Sequence, residues 1–145
     1  MRKSLLLIFA CFYLISCRPT SKIITDKKGV AVVESVSFTN TKWILASLNK
    51  KLPTFSMNEK PYILFKGNNE VSGNAGCNLF SGSYEISDSL ISFKNLIVTT
   101  SACPDLPIEF DFMKTLRKTI AYTKSNQTLE LKDLSGKTIA LFIVK

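Results

Sequence analysis

The chain has 145 residues, with 19 Lys and Arg against 11 Asp and Glu, four cysteines and no histidine. That length suits one ordinary domain, and the missing histidine excludes a Ser-His-Asp triad, a Cys-His pair, His-ligated zinc or haem and a histidine pH switch. The formal charge of +8 raises nucleic acid or an anionic membrane surface as partners until the chain is divided into segments.

Arg2 and Lys3 precede an almost wholly apolar run from Leu5 to Ile15. Its 11 residues suit the core of a signal peptide and fall short of the roughly 20 that span a bilayer. Leu14, Ile15, Ser16 and Cys17 resemble a bacterial lipobox, in which a small residue precedes the cysteine whose thiol accepts a diacylglyceryl group. An ordinary signal peptide would want a small residue in place of Leu14, and a buried strand would not explain the basic start. Residues 1–16 are therefore expected to leave as a lipoprotein signal peptide, with Cys17 anchoring the protein in a bacterial envelope membrane. By resemblance to other lipoproteins, Arg18 in place of an aspartate favours the outer membrane, with the domain in the periplasm or at the surface. Residues 17–39 read as lipidated N-terminus and tether, within which Val30 to Phe38 alternates enough for a strand.

Residues 40–145 form the expected domain, and its signals are short strands with turn punctuation. Trp43 to Ser47 reads as a strand and Asn49 to Glu59 as a loop. Tyr62 to Phe65 and Glu70 to Gly73 read as a hairpin turning at Lys66, Gly67, Asn68 and Asn69. Ser83 to Ile86 and Leu90 to Phe93 form another pair around Ser87, Asp88 and Ser89. Ile120 to Thr123, Leu129 to Leu131 and Thr138 to Val144 complete the set. Between them Asp105 can cap a helix with Pro107 in its first turn, and Ile108, Phe112, Leu116 and Ile120 form an apolar stripe. Glu109 and Asp111 near its start, with Lys114, Arg117 and Lys118 near its end, match the helix dipole. The expected fold is mainly β: a small antiparallel barrel-like or rolled sheet of about seven to eight strands, with one amphipathic helix packed against it.

The most distinctive stretch is VSGNAGCNLFSGSY, Val71 to Tyr84. Gly73, Gly76 and Gly82 admit backbone geometries that a Cβ would forbid, and Asn74 and Asn78 bond readily to nearby backbone. It lacks the Gly-Lys-Ser/Thr ending of a phosphate loop and opens no helix. Together with Thr41, Lys42, Trp43, Ile44, Leu45 before it and Thr99, Thr100, Ser101, Ala102, Cys103 after it, the stretch resembles the META domain (HslJ-like) family. The "GCN" block falls at Gly76, Cys77 and Asn78, and a closing hairpin resembles the family's between Leu129 and Phe142. The family's usual methionine before Ala102 is here Ser101. The resemblance implies structural roles for Trp43, Gly73, Asn74, Gly76, Asn78, Gly82, Tyr84 and Thr100, and a fold without a defining enzymatic activity. It also implies a heat-shock or stress-response setting in the cell envelope. The fold further resembles pilot lipoproteins that hold a hydrophobic peptide or lipid, an analogy of fold alone.

Cys11 would leave with the signal peptide, and Cys77 and Cys103 remain as an even pair in an oxidising compartment. A disulfide there would close about 27 residues and contribute roughly 3.5 kcal/mol. Two buried thiols, a metal pair or a nucleophile are the alternatives, the last two poorly served without histidine. Glu70, Glu85, Asp88, Asp105, Glu109, Asp111, Glu130 and Asp133 are candidates for a glycosidase-like carboxylate pair, although most fall at turns or helix starts.

Without residues 1–16 the chain carries 17 basic and 11 acidic side chains; residues 61–145 hold nine and eight of these. The positive charge thus lies beside the membrane anchor, and nucleic acid loses its support as a partner. The expected protein is a monomeric, non-catalytic envelope lipoprotein without metal or cofactor, serving stress tolerance by binding an unidentified envelope protein, peptide or lipid. A barrel capturing a hydrophobic peptide or lipid is the alternative, requiring an apolar cavity or open seam beside the helix. A carboxylate-based hydrolase is the remote one.

Overall fold

The computed structural model describes residues 36–54, 60–102 and 106–145. Eight antiparallel strands pair in sequence order: β1 (Lys42–Leu48), β2 (Tyr62–Phe65), β3 (Glu70–Asn74), β4 (Leu79–Ser87), β5 (Leu90–Val98), β6 (Ala121–Lys124), β7 (Thr128–Lys132) and β8 (Thr138–Ile143). β8 pairs back with β1, so the sheet returns on itself as a barrel-like ring. Among the described residues one helix, α1 (Leu106–Lys118), lies in sequence between β5 and β6. That junction is the thin point of the ring, joined in register by the single pair Leu90 and Ala121.

Alternation decides which side chains fill the interior. β2 turns Ile63 and Phe65 inward, and β7 turns Leu129 and Leu131 inward, all fully buried. β1 buries Trp43 and Leu45, then shifts register between Leu45 and Ser47, so that Leu48 rather than Ser47 is the next inward residue. α1 turns Phe112, Met113 and Leu116 inward, and the Phe112 ring meets those of Phe80 at 5.8 Å and Phe142 at 6.1 Å. Helix and sheet thus share one core.

Two glycines set how closely the strands approach. A Cβ on Gly73 would stand 2.0 Å from the Tyr62 carbonyl oxygen and 2.7 Å from the Phe80 ring. On Gly82 it would stand 2.8 Å from both the Lys94 carbonyl oxygen and Leu96. Gly82 faces a bulge in β5, where the register slips between Ser81 and Ser83 and Asn95 takes φ 52°.

Several expectations need correction. Ile120 is not on the helix: α1 ends at Lys118, the Thr119 hydroxyl closes on the Thr115 carbonyl, and the Ile120 N–H already bonds to Lys132 on β7. Ile108 is only half-buried, and Glu109 joins the buried face. β4 and β5 each run further than expected, because Gly82 and Asn95 bend the ladder without ending it. Residues 36–38 are not a strand, while residues 30–35, Asp105 and residues 55–59 lie outside the described residues. Phe38 nevertheless packs on the core, its ring 4.3 Å from that of Phe65, and its carbonyl accepts the Trp43 indole N–H at 3.0 Å.

Candidate functional site

The segment Asn74 to Leu79 crosses from β3 to β4 and passes over the first turn of α1. Asn74 starts the bend by accepting the Gly76 N–H at 2.7 Å, and Gly76 itself takes φ +120°. The Ala75 N–H donates to the Asn78 carbonyl at 2.9 Å and closes the turn. These local bonds hold Asn78 facing inward, with 3% of its surface exposed.

Asn78 then joins three parts of the chain. Its Oδ1 accepts the Ser101 N–H at 2.7 Å and the Thr99 hydroxyl at 3.0 Å. Its Nδ2 donates to the Ser101 carbonyl at 3.1 Å and lies 3.3 Å from the Cys77 sulfur. Its backbone N–H donates to Glu109 Oε2 at 2.7 Å, across 31 residues of sequence. An asparagine side chain offers two acceptor sites and two donors, and here all four are engaged. Glu109 is itself 8% exposed and in the first turn of α1, where the helix dipole favours its carboxylate. No buried side-chain nitrogen or oxygen among the described residues lacks a partner.

The threonine at this junction is Thr99, whose hydroxyl also accepts the Leu79 N–H at 3.2 Å. Thr100, the residue singled out from the sequence, is exposed. Both threonines are exposed and follow the end of β5 at Val98, and it is the Thr99 hydroxyl that reaches the Asn78 side chain. The Cys77 sulfur lies 3.5 Å from the Ser101 carbonyl oxygen, whereas Cys103 and Cys17 fall outside the described residues.

The other family positions serve the core. Trp43 is fully buried, and Tyr84 packs its ring edge against Phe65 at 5.0 Å while its hydroxyl donates to the Lys66 carbonyl at 2.8 Å. Burial raises the Tyr84 phenol above its ordinary value of 10.0.

The carboxylates have separate local roles. Glu70 pairs with Lys66 at 3.3 Å and Glu85 with Lys94 at 2.6 Å. Hydrogen bonds from Asn68 and Lys66 hold the Glu70 carboxyl below its ordinary value. Glu130 accepts the Thr138 hydroxyl at 2.9 Å. Asp133 orders the last turn through Ser135 and Lys137, and the Ser135 hydroxyl leads in lowering its pKa. Asp88 and Asp111 are exposed. Among the described residues no three Cys, Asp or Glu side chains converge as a metal site.

Sequence reading missed two surface features. One open groove of ≈ 390 Å³ is lined by Tyr62, Gly73, Leu79, Phe80, Ile97 and Val98, with Leu79 and Ile97 exposed. Another, of ≈ 520 Å³, lies at the β5–β6 junction. Isolated leucines and isoleucines in a strand carry no signal that tells core from surface until the register is known.

The META domain family model matches residues 36–144. No curated protein is significantly similar in sequence. One solved NMR structure superposes with a TM-score of 0.59 at 22% identity, over 72% of this chain and 88% of its own. The NMR structure of a protein from Burkholderia xenovorans gives 0.58 at 23% identity, over 74% and 83% respectively. At those identities the likeness concerns the fold.

Proposed function

The chain belongs to the META domain family, and on that footing we propose that it is a non-catalytic lipoprotein of the bacterial envelope. Its domain binds an unidentified envelope partner in a stress-tolerance role. Cys17 carries the lipid, the outer membrane is its destination, and Cys77 and Cys103 form a disulfide. The observation that supports this reading best is the use of the family's polar residues. The Asn78 side chain spends its bonding capacity on Thr99, Ser101 and Cys77, and its backbone N–H goes to Glu109, closing the turn onto the helix as residues with a structural role do. Glu70 and Glu85 hold ion pairs, and Glu130 and Asp133 hold strand and turn bonds, as side chains with structural work do.

Intact-mass spectrometry of the protein from envelope membranes tests the anchor: a mature chain starting at a triacylated or diacylated Cys17 is expected, and an unmodified chain starting at Met1 would refute it. Thiol titration under denaturing conditions tests the bridge, since two free thiols besides Cys17 would rule it out. Pull-down with and without heat stress tests the role; a partner set identical in both conditions would remove stress from the reading.

Capture of a hydrophobic peptide or lipid at a seam beside the helix, as the sequence reading required, is not favoured; a second reading moves the capture to the groove of exposed Leu79 and Ile97, away from the helix. It is not served by the helix, whose inner face is filled by Phe112, Met113 and Leu116.

A further inference from the structure

The groove at the β5–β6 junction has apolar walls that the fold does not use. Ile86 from β4, Leu90 from β5 and Ile120 before β6 line it together and are all exposed, Leu90 by 57%. A contiguous apolar surface of this kind costs free energy in water and marks a contact with something apolar. Its place in the molecule says which contact. The described domain begins at Val36, and Phe38 sits beside the β4–β5 turn, lining a recess with Asp88, Ser89, Tyr122 and Lys124. Leu90 follows directly on that turn. The chain leading toward Cys17 therefore joins the domain at the same end as the apolar groove.

The charges around the groove fit an anionic surface on the helix side. Arg117 and Lys118 are exposed three and two residues before Ile120, and Lys132 pairs with Ala121 next to it. Of the acids on this side, Glu85 lines the groove but is paired with Lys94, Asp88 stands at the turn, and Asp133 follows Lys132 and is turned into its own loop by Ser135 and Lys137. Nineteen residue steps separate Cys17 from Val36, which cannot reach beyond about 65 Å. A domain held that close meets the bilayer at a high effective concentration, so even a small apolar contact suffices to set its orientation.

We propose that the groove formed by Ile86, Leu90 and Ile120 docks on the lipid bilayer in which the chain is anchored, with Arg117 and Lys118 on the headgroups. This orients the domain with the Leu79–Ile97 groove free for a partner. The inference rests on the lipoprotein reading given above, and the test separates the two.

Full-length lipidated protein carrying Leu90→Trp, or Leu79→Trp as control, is reconstituted into vesicles of phosphatidylglycerol and chain-brominated phosphatidylcholine. Both positions are exposed, so both variants should keep the native circular dichroism, and buried Trp43 adds a constant background. Flotation of the protein with the vesicles reads the anchor; bromine quenching reads the docking. The expected result is flotation of both variants with roughly twofold or greater quenching for Leu90→Trp and little for Leu79→Trp. Flotation with equal quenching, or none, overturns the docking while leaving the anchor intact. Failure to float overturns the anchor and the docking with it. A blue shift of Leu90→Trp that grows with protein concentration in lipid-free detergent would assign the groove to a second copy and overturn the proposal.

Discussion

Removing the Asn78 side chain tests whether the junction of the β3–β4 turn, residues 99–101 and the helix is what holds them together. Asn78→Ala deletes the bonds from Oδ1 to Ser101 N–H at 2.7 Å and to the Thr99 hydroxyl at 3.0 Å, and from Nδ2 to the Ser101 carbonyl at 3.1 Å. Each such bond contributes about 1 kcal/mol net, so the expected loss is about 3 kcal/mol. Ser101 is exposed and water recovers part of its loss, whereas the cavity left at a 3% exposed site adds a penalty of the opposite sign. For a domain of this size 3 kcal/mol lowers Tm by about 12 °C. Urea unfolding followed by circular dichroism measures the free energy, and a thermal scan measures the shift. Asn78→Asp sharpens the test. It keeps the Oδ1 acceptor but turns an oxygen toward the Ser101 carbonyl and brings a second carboxylate near Glu109. Burial and the neighbouring carboxylate raise the introduced acid's folded pKa above its unfolded value. Its neutral form is thus favoured in the folded state, and the variant is most stable at acid pH and loses stability as pH rises through that pKa. An Asn78→Ala loss under about 0.5 kcal/mol would refute the reasoning, because that is the range of ordinary surface substitutions. So would an Asn78→Asp variant without pH dependence relative to wild type.

Three further outcomes follow from the same geometry. Glu109→Gln keeps an acceptor for the Asn78 N–H but removes its charge, and should cost about 1 kcal/mol in urea unfolding; Glu109→Ala should cost more. Gly73→Ala should destabilise by about 3 kcal/mol or fail to fold, since its Cβ meets the Tyr62 carbonyl at 2.0 Å. Gly67→Ala, where nothing lies within 4 Å, should stay within about 0.5 kcal/mol of wild type, and equal effects would refute the assignment. In an alkaline titration followed by tyrosine absorbance, one phenol should ionise later than the rest, and Tyr84→Phe should remove it. Because that phenol's folded pKa is raised, its contribution to stability is complete below about pH 10 and is lost as pH rises through the folded value.

The strands with an uninterrupted apolar alternation were legible from the chain alone. Tyr62–Phe65 was readable to the residue, and the strands that carry Trp43, Leu129 and Leu131 into the core were read in place. What misled were residues whose meaning depends on the partner strand. Gly82 and Asn95 look like the ends of strands, yet they are the two sides of one bulge, visible only once β4 and β5 are in register. Ile120 continues the helical spacing of Phe112 and Leu116, but its N–H goes to Lys132, a long-range bond that local periodicity does not encode. The site was legible as a set of residue types and not as a network. Asn78 was singled out, but its bonds to Ser101 and Glu109 span 23 and 31 residues. Glu109 accordingly passed for an ordinary charge at a helix start. The choice between Thr99 and Thr100 likewise depends on a bond across 21 residues, from the Thr99 hydroxyl to Asn78, that no local pattern encodes.

The pairing of β8 with β1 has a consequence for how the protein is made. Among the described strands, the one that closes the ring, Thr138–Ile143, is synthesised after all the others, and its partner Lys42–Leu48 before them. Until those final residues emerge, β1 and β7 each present an unpaired edge, and Phe142 is missing from between Phe112 and the strands. A nascent chain therefore cannot complete its native structure early, however slowly it is extended, and closure waits on the longest-range pairing among the described strands. A truncated product lacking β8 is left open at both edges as a ready substrate for proteolysis.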